Sequence, residues 1–378
     1  TSSFAPPRAS SSSVVVVSTV TPATSSATSQ TSIRPTPLTV TVTVTVSPLS
    51  SSQPSSVSSS TQPTTLVTSL IPQSSSSKPT PAASVVAQPA PPWPQGLPSK
   101  GKLVHQYPNS TWILNVDTRP NGQLILALFD RPEIHFLNPF DVTPEPVLAH
   151  RFAPGSKILC MTEFTPDQYA ILVQSPTHEP EDDSAQLWTF TPGSSDVRSR
   201  MRFIGDVAEA ASFVSLTPLS RTYLLASNSV GAIHRIDVTN GLEMALFTDP
   251  SMSNGIAAIR YSDPELYFLA PVDGVFARFQ LNPDTGDAIA PVEIIADHIV
   301  GVADFILATW VEHEAFLVNY EQNNVLKVDE NAQVSSLVTG WRAPTSITSG
   351  GTAKDKRTLY VGTAGVLGSS GMVMAINV

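Results

Sequence analysis

One cysteine, Cys160, is all that the 378-residue sequence contains, so no intramolecular disulfide can brace the fold. It lies in the apolar run KILCM with no histidine close in sequence, the setting of an inert core thiol rather than of a nucleophile. No apolar run approaches the ~18 residues that a membrane span requires, so no membrane span is expected. A Gly-rich phosphate loop, a CxxC pair, a nucleophile elbow and an HExxH motif are all missing, which removes the commonest cofactor chemistries, and no cofactor is expected. Residues 1–98 contain no Asp or Glu and only Arg8, Arg34 and Lys78 as charged side chains. The chain as a whole carries −10, so the remainder carries about −13, a balance that argues against nucleic acid as a partner.

What fills residues 1–98 is Ser, Thr, Pro, Val and Ala. Such a segment cannot bury enough apolar surface to offset the entropy of ordering it, and it reads as a disordered tail or stalk. Its composition is that of an O-glycosylated stalk, which would make the chain a secreted or wall-associated glycoprotein; the alternative is an unmodified disordered tail. The start at Thr1 suggests a processed leader, and Asn109-Ser110-Thr111 is an acceptor for N-glycosylation. The alternating LTVTVTVTV has no neighbouring core pattern to pair with and stays with the tail.

From residue 99 to 378 the pattern changes to a repeat. Nearly the same apolar strand is written six times: LILALF, YAILVQ, YLLASN, LYFLAP, AFLVNY and YVGTAG, with starts 43 to 54 residues apart. A period in this range indicates a stacked or radial architecture. Each copy is preceded by a further strand (WILNV, ILCMT, ASFVS, GIAAI, DFILA, TSITS) and followed across a turn by another (IHFLNP, LWTFTP, IHRIDV, FARFQL, VLKVDE, MVMAIN). Most units add a fourth strand, and six units of four strands describe an all-β, six-bladed β-propeller. The last unit runs out of chain at its third strand. KLVHQY, Lys102 to Tyr107, is the strand expected to complete that blade and close the ring. A β-sandwich is the competing architecture and accounts poorly for six regular units.

The runs WILNVDTRPNGQLILALF, SNSVGAIHRIDV, SNGIAAIR, ADFILA and APTSITSGG…LYVGTAG resemble, in order and spacing, the fungal branch of the gluconolactonase-like, senescence-marker-protein superfamily of six-bladed propellers. The resemblance covers Lys102 to Val378. It implies a divalent cation on the channel axis held by a Glu, two Asn and an Asp. Of that set Asn254 and Asp304 match, whereas Leu114 stands where the Glu would be and Ser212 where one Asn would be. Hard cations need several oxygen ligands and Leu supplies none, so no metal is expected. The same branch resembles the hetero-Diels-Alderases of tropolone sesquiterpenoid pathways. That likeness implies a pericyclase joining a quinone-methide-like polyketide to a terpene, with small-molecule polyketide and terpenoid substrates as its partners and neither metal nor covalent nucleophile.

Such a reaction asks for a shaped apolar cavity and for hydrogen bonds where charge develops on oxygen. Leu114, Met161, Ser212, Phe213, Asn254 and Thr345 are expected at the channel, with Asp304 as an acid or hydrogen-bond acceptor. Trp341 and Arg342 precede the last inner strand, where the indole could stack on a flat conjugated ring and the guanidinium could donate to its oxygens. Each has a plain alternative: a Trp packed between blades, an Arg in a surface ion pair, an Asp plugging the channel, an Asn forming a turn with Gly255. His105, His135 and His234 are expected away from the channel, and His178 in a solvated acidic loop. Two other functions remain open, a metal-dependent lactonase and a non-catalytic secreted binding module.

Overall fold

The repeated strand of each unit is apolar at nearly every position instead of at alternate ones, and Leu124–Leu128 and Ala315–Asn319 are buried along their whole length. A strand buried on both faces needs a sheet packed on each side of it. A computed structural model, which describes residues 101–176, 183–193, 199–365 and 370–378, shows how this is met. Six four-stranded antiparallel sheets form the blades of a six-bladed β-propeller. The segment 1–98 and the stretch around His178 lie outside the described residues.

Blade by blade the innermost strands are Ile113–Thr118, Lys157–Thr165, Phe213–Pro218, Ala258–Ser262, Val302–Leu307 and Pro344–Ser349. In the first five blades the strands pair in sequence order. The sixth is completed from the other end of the chain: Lys102–Asn109 pairs antiparallel with Ser370–Asn377, with Leu103 opposite Met374 and His105 opposite Val373. The N-terminal strand therefore closes the ring, as the strand count requires. Six separate apolar clusters fill the six seams between neighbouring blades. Among the described residues no helix is long and apolar enough to cross a membrane.

Two regularities shape the axis of the ring. Five inner strands carry a β-bulge at the same place, which sets Leu114, Leu159, Val214, Ala303 and Thr345 outside the pairing register. Just past the bulge, a side-chain oxygen of one blade accepts a backbone N–H of the next. Ser215 Oγ accepts Ile259 N at 3.2 Å, Asp304 Oδ2 accepts Ile347 N at 3.1 Å and Ser346 Oγ accepts Val116 N at 2.9 Å. Two residues deeper, Thr217 Oγ1 accepts Tyr261 N at 3.0 Å. At these three seams the inner edge of the following sheet has amides paired across the seam rather than left open.

Two outcomes follow for stability. A chain starting at Pro108 should lose cooperative unfolding by calorimetry, whereas one starting at Ser99 should keep it, because only the former exposes the edge of the sixth blade. Ser346→Ala should cost about 1–3 kcal/mol in denaturant melts, since the buried Val116 N–H loses its acceptor.

Candidate functional site

The inner strands enclose a central channel of about 340 Å³, at the low end of the range for small-molecule pockets. Its wall changes character with depth. Near the starts of the inner strands it is formed by Trp112, Leu114, Val214, Ala257, Ala303, Thr345 and Tyr320. Trp112 and Tyr320 lie nearly parallel, 6.2 Å between ring centroids and 17° between planes, and Phe129 packs on Trp112 at 5.0 Å. Val230, Val272 and Val300, in loops at this same end of the blades, are exposed. The mouth is therefore apolar and aromatic.

The floor is polar. Asp117, Thr162, Arg260 and Thr348 line it, with Asp304 just above. Arg260 Nη2 donates to Asp304 Oδ1 at 2.6 Å and Nη1 to the Ile259 carbonyl at 2.8 Å, and the guanidinium lies 5.5 Å from the Phe305 ring centroid. Asp304 also accepts the amides of Phe305 and Ile347. Asp117 accepts Thr118 N at 2.7 Å and the Thr348 hydroxyl at 3.4 Å. Burial pushes its carboxyl above the usual carboxylate range, against the lowering effect of those bonds and of Arg260. Next to it Glu163 is pushed up to about 7, by burial first and then by the charges of Asp117 and Asp167, although it accepts the Asp167 amide at 2.6 Å. The Tyr169 hydroxyl is buried among these acids without a hydrogen-bond partner, and its pKa is raised by burial and by Asp117.

Of the residues expected at the channel, Leu114, Met161, Asp304 and Thr345 line it. The Thr345 hydroxyl is turned to the wall, within bonding distance of the Ile113 and Gly362 carbonyls at 2.6 and 3.1 Å. The other five lie elsewhere, four of them because they precede their inner strands and Phe213 because of the bulge. In the third blade it brings Val214 to the channel, while Phe213 goes into the seam with the second blade, against His234. Ser212 ends a short 3-10 turn and donates to the Glu209 carbonyl at 3.0 Å. Asn254 is in an exposed loop, donating to Asp273 at 2.8 Å, and Ala257 takes the wall position. Trp341 is 1% exposed in the seam between the fifth and sixth blades. Arg342 is half-buried and outside the channel lining. His105, His135 and His234 are likewise outside it. Sequence reasoning passed over Arg260 and Asp117; each is a charged residue interrupting an apolar inner strand, IAAIRYS and ILNVDT.

The divalent cation implied by the superfamily resemblance does not fit these residues. Leu114, Val214, Ala257 and Ala303 offer no oxygen side chain at the mouth, and Asn254 and Ser212 are directed elsewhere. Among the described residues, no three His, Cys, Asp or Glu side chains group closely enough to hold a metal ion. Cys160 lines the channel, but burial pushes its thiol up, away from the thiolate.

The raised Glu163 has a pH signature. A folded-state value of about 7, above the ordinary 4.5, means that the native protein holds a proton which the unfolded chain releases. Glu163 thus costs nothing below pH 4.5 and destabilises increasingly up to about pH 7. Glu163→Gln should therefore raise stability at pH 8, by on the order of 1 kcal/mol once solvent screening is allowed for, and the gain should vanish near pH 4.5 in paired thermal melts.

No family model matches the sequence. Two curated proteins are similar to it. One is a candidate hetero-Diels-Alderase, asR5, of Sarocladium schorii, 25% identical over 321 residues, which cover 71% of this chain and 78% of that protein. The other is a candidate hetero-Diels-Alderase of a Phoma species, 22% identical over 309 residues, 70% of this chain and 87% of that protein. Among solved structures, a calcium-binding protein, regucalcin, from Agrobacterium tumefaciens superposes with a TM-score of 0.54 at 13% identity, covering 73% of this chain and 94% of that one. An auxiliary nutrient binding protein from Bacteroides ovatus gives 0.54 at 11% identity, covering 74% and 73%. The chain is thus similar in sequence to candidate hetero-Diels-Alderases and shares its propeller fold with regucalcin.

Proposed function

We propose that the channel is the active site of a metal-independent pericyclase of the hetero-Diels-Alderase type, which joins a quinone-methide-like heterodiene to a terpene alkene. The observation that carries this reading is the polarity gradient of a single cavity, apolar and aromatic at the mouth and hydrogen-bonding at the floor. The sequence similarity to candidate hetero-Diels-Alderases supports it.

The cycloaddition forms one C–C and one C–O bond while three π bonds become one, with no proton, electron or co-reactant exchanged. The protein's part is to hold two partners in a reactive pose and to stabilise charge on the heterodiene oxygen as the C–C bond forms first. The gradient orients both partners: the oxygen-bearing diene enters carbonyl first towards Arg260, Asp117 and Thr348, and the hydrocarbon lies against Leu114, Val214 and the Trp112–Tyr320 pair. At about 340 Å³ the enclosed space takes one partner comfortably, which leaves the second at the exposed apolar rim.

Incubating the purified protein with a quinone-methide precursor and a macrocyclic terpene should yield a dihydropyran adduct with stereochemical excess over the uncatalysed reaction. Leu114→Glu, which places a charge in the apolar wall, should cut turnover on the order of a hundredfold and erode the excess. Equal rate and product ratio with and without the protein would refute the assignment.

A further inference from the structure

Three residues at equivalent positions stitch neighbouring blades: Ser215, Asp304 and Ser346. In two of them a neutral hydroxyl suffices. The carboxylate of Asp304 does the same work through Oδ2, so its negative charge is surplus to the stitch. That charge has one visible use, which is to hold Arg260. The side chain of Arg260 comes from the blade before, reaches Asp304 Oδ1 at 2.6 Å, and stays 28% exposed. Among the described residues it is the only Lys, Arg or His that lines the channel.

The guanidinium is also under-used. Its bonds to Asp304 and to the Ile259 carbonyl occupy two of the five N–H groups that an arginine carries. With the side chain 28% exposed and none of its nitrogens among the buried atoms that lack a partner, the remaining N–H groups open onto the channel and are free to donate to a ligand. The planar fork rests near the Phe305 ring and is fixed at one end by a bidentate-capable acid. Across the floor, the Thr348 hydroxyl is within bonding distance of Asp117, at 3.4 Å.

From this we infer that Arg260 is the residue that binds the ligand oxygen on which negative charge resides or develops, and that Asp304 is a positioning residue which acts through Arg260. The inference rests on the channel being the ligand site of the proposed cyclase. It commits to a ligand class, a conjugated oxygen anion of the enolate or phenolate kind, and to a division of labour between two residues.

The test separates this from the cyclase assignment by reading binding alone. Full-length protein is titrated with 4-nitrophenol at a pH where the phenol is ionised, and with 4-nitroanisole as its uncharged counterpart. The parent should bind the phenolate more tightly than the anisole. Arg260→Met should weaken phenolate binding by about tenfold or more, leave anisole binding unchanged, and melt near the parent temperature. Arg260→Lys should recover part of the loss. Asp304→Asn keeps an oxygen for the Ile347 amide, and should resemble Arg260→Met towards phenolate. Parental phenolate affinity in Arg260→Met, equal loss of both probes, or no phenolate binding by the parent would each overturn the inference. Arginine-dependent binding without adduct formation would leave it standing and remove the cyclase reading instead.

Discussion

The constraint on which the rest depends is the fate of backbone amides at the axis of the ring. Six sheets meet there edge on, and an inner edge that neither pairs nor meets water carries a row of unsatisfied donors. Ser215, Thr217, Asp304 and Ser346 answer this by accepting amides of the following blade. All six seams hold an apolar cluster further out, and three of them are held a second time by these hydrogen bonds at the axis. The clasp strand Lys102–Asn109 serves the same end at the ring's last open place.

Once those oxygens are committed to the wall, what remains to face the channel is set by the bulges and by the residues between stitches. The bulges turn Leu114, Val214, Ala303 and Thr345 towards the mouth, and three of these four are hydrocarbon. Deeper in, Arg260 and Asp117 stand at the level of the second stitch. A polarity gradient along one axis is therefore a by-product of how the ring is closed, and it is well suited to a ligand with one oxygenated and one hydrocarbon end. The carboxyl groups of Asp117 and Glu163 share this crowded seam, and burial favours their protonated forms.

The ring itself was legible in the sequence because a strand buried on both faces is a continuous apolar run, and six such runs at a regular spacing admit few architectures. Closure by Lys102 to Tyr107 was legible by counting strands. The channel wall was not. A bulge adds one residue without any mark in composition, and the loop that leads into each inner strand varies in length, so alignment by strand starts puts Ser212, Asn254 and Asp304 on a level where the structure has Val214, Ala257 and Ala303. The same shift hides Phe213 in a seam. Trp341 reads as a stacking residue because it precedes an inner strand, yet an indole of that size fills the space between two blades, and its ring closes over Gly101. Arg260 was passed over because one charge in IAAIRYS looks like an ordinary solvent-facing strand position; that it faces the axis depends on the register with Leu266–Leu269.

The central claim is that one channel holds the oxygenated partner at its floor and the hydrocarbon at its mouth. A crystal structure of the protein with the dihydropyran adduct of the proposed reaction tests this most directly. The account predicts the ring oxygen within hydrogen-bond distance of the Arg260 guanidinium, about 3 Å, and the hydrocarbon ring against Leu114 and Val214. An adduct bound outside the channel, or bound the other way up with its oxygen at Trp112 and Tyr320 and its hydrocarbon on the floor, would contradict it.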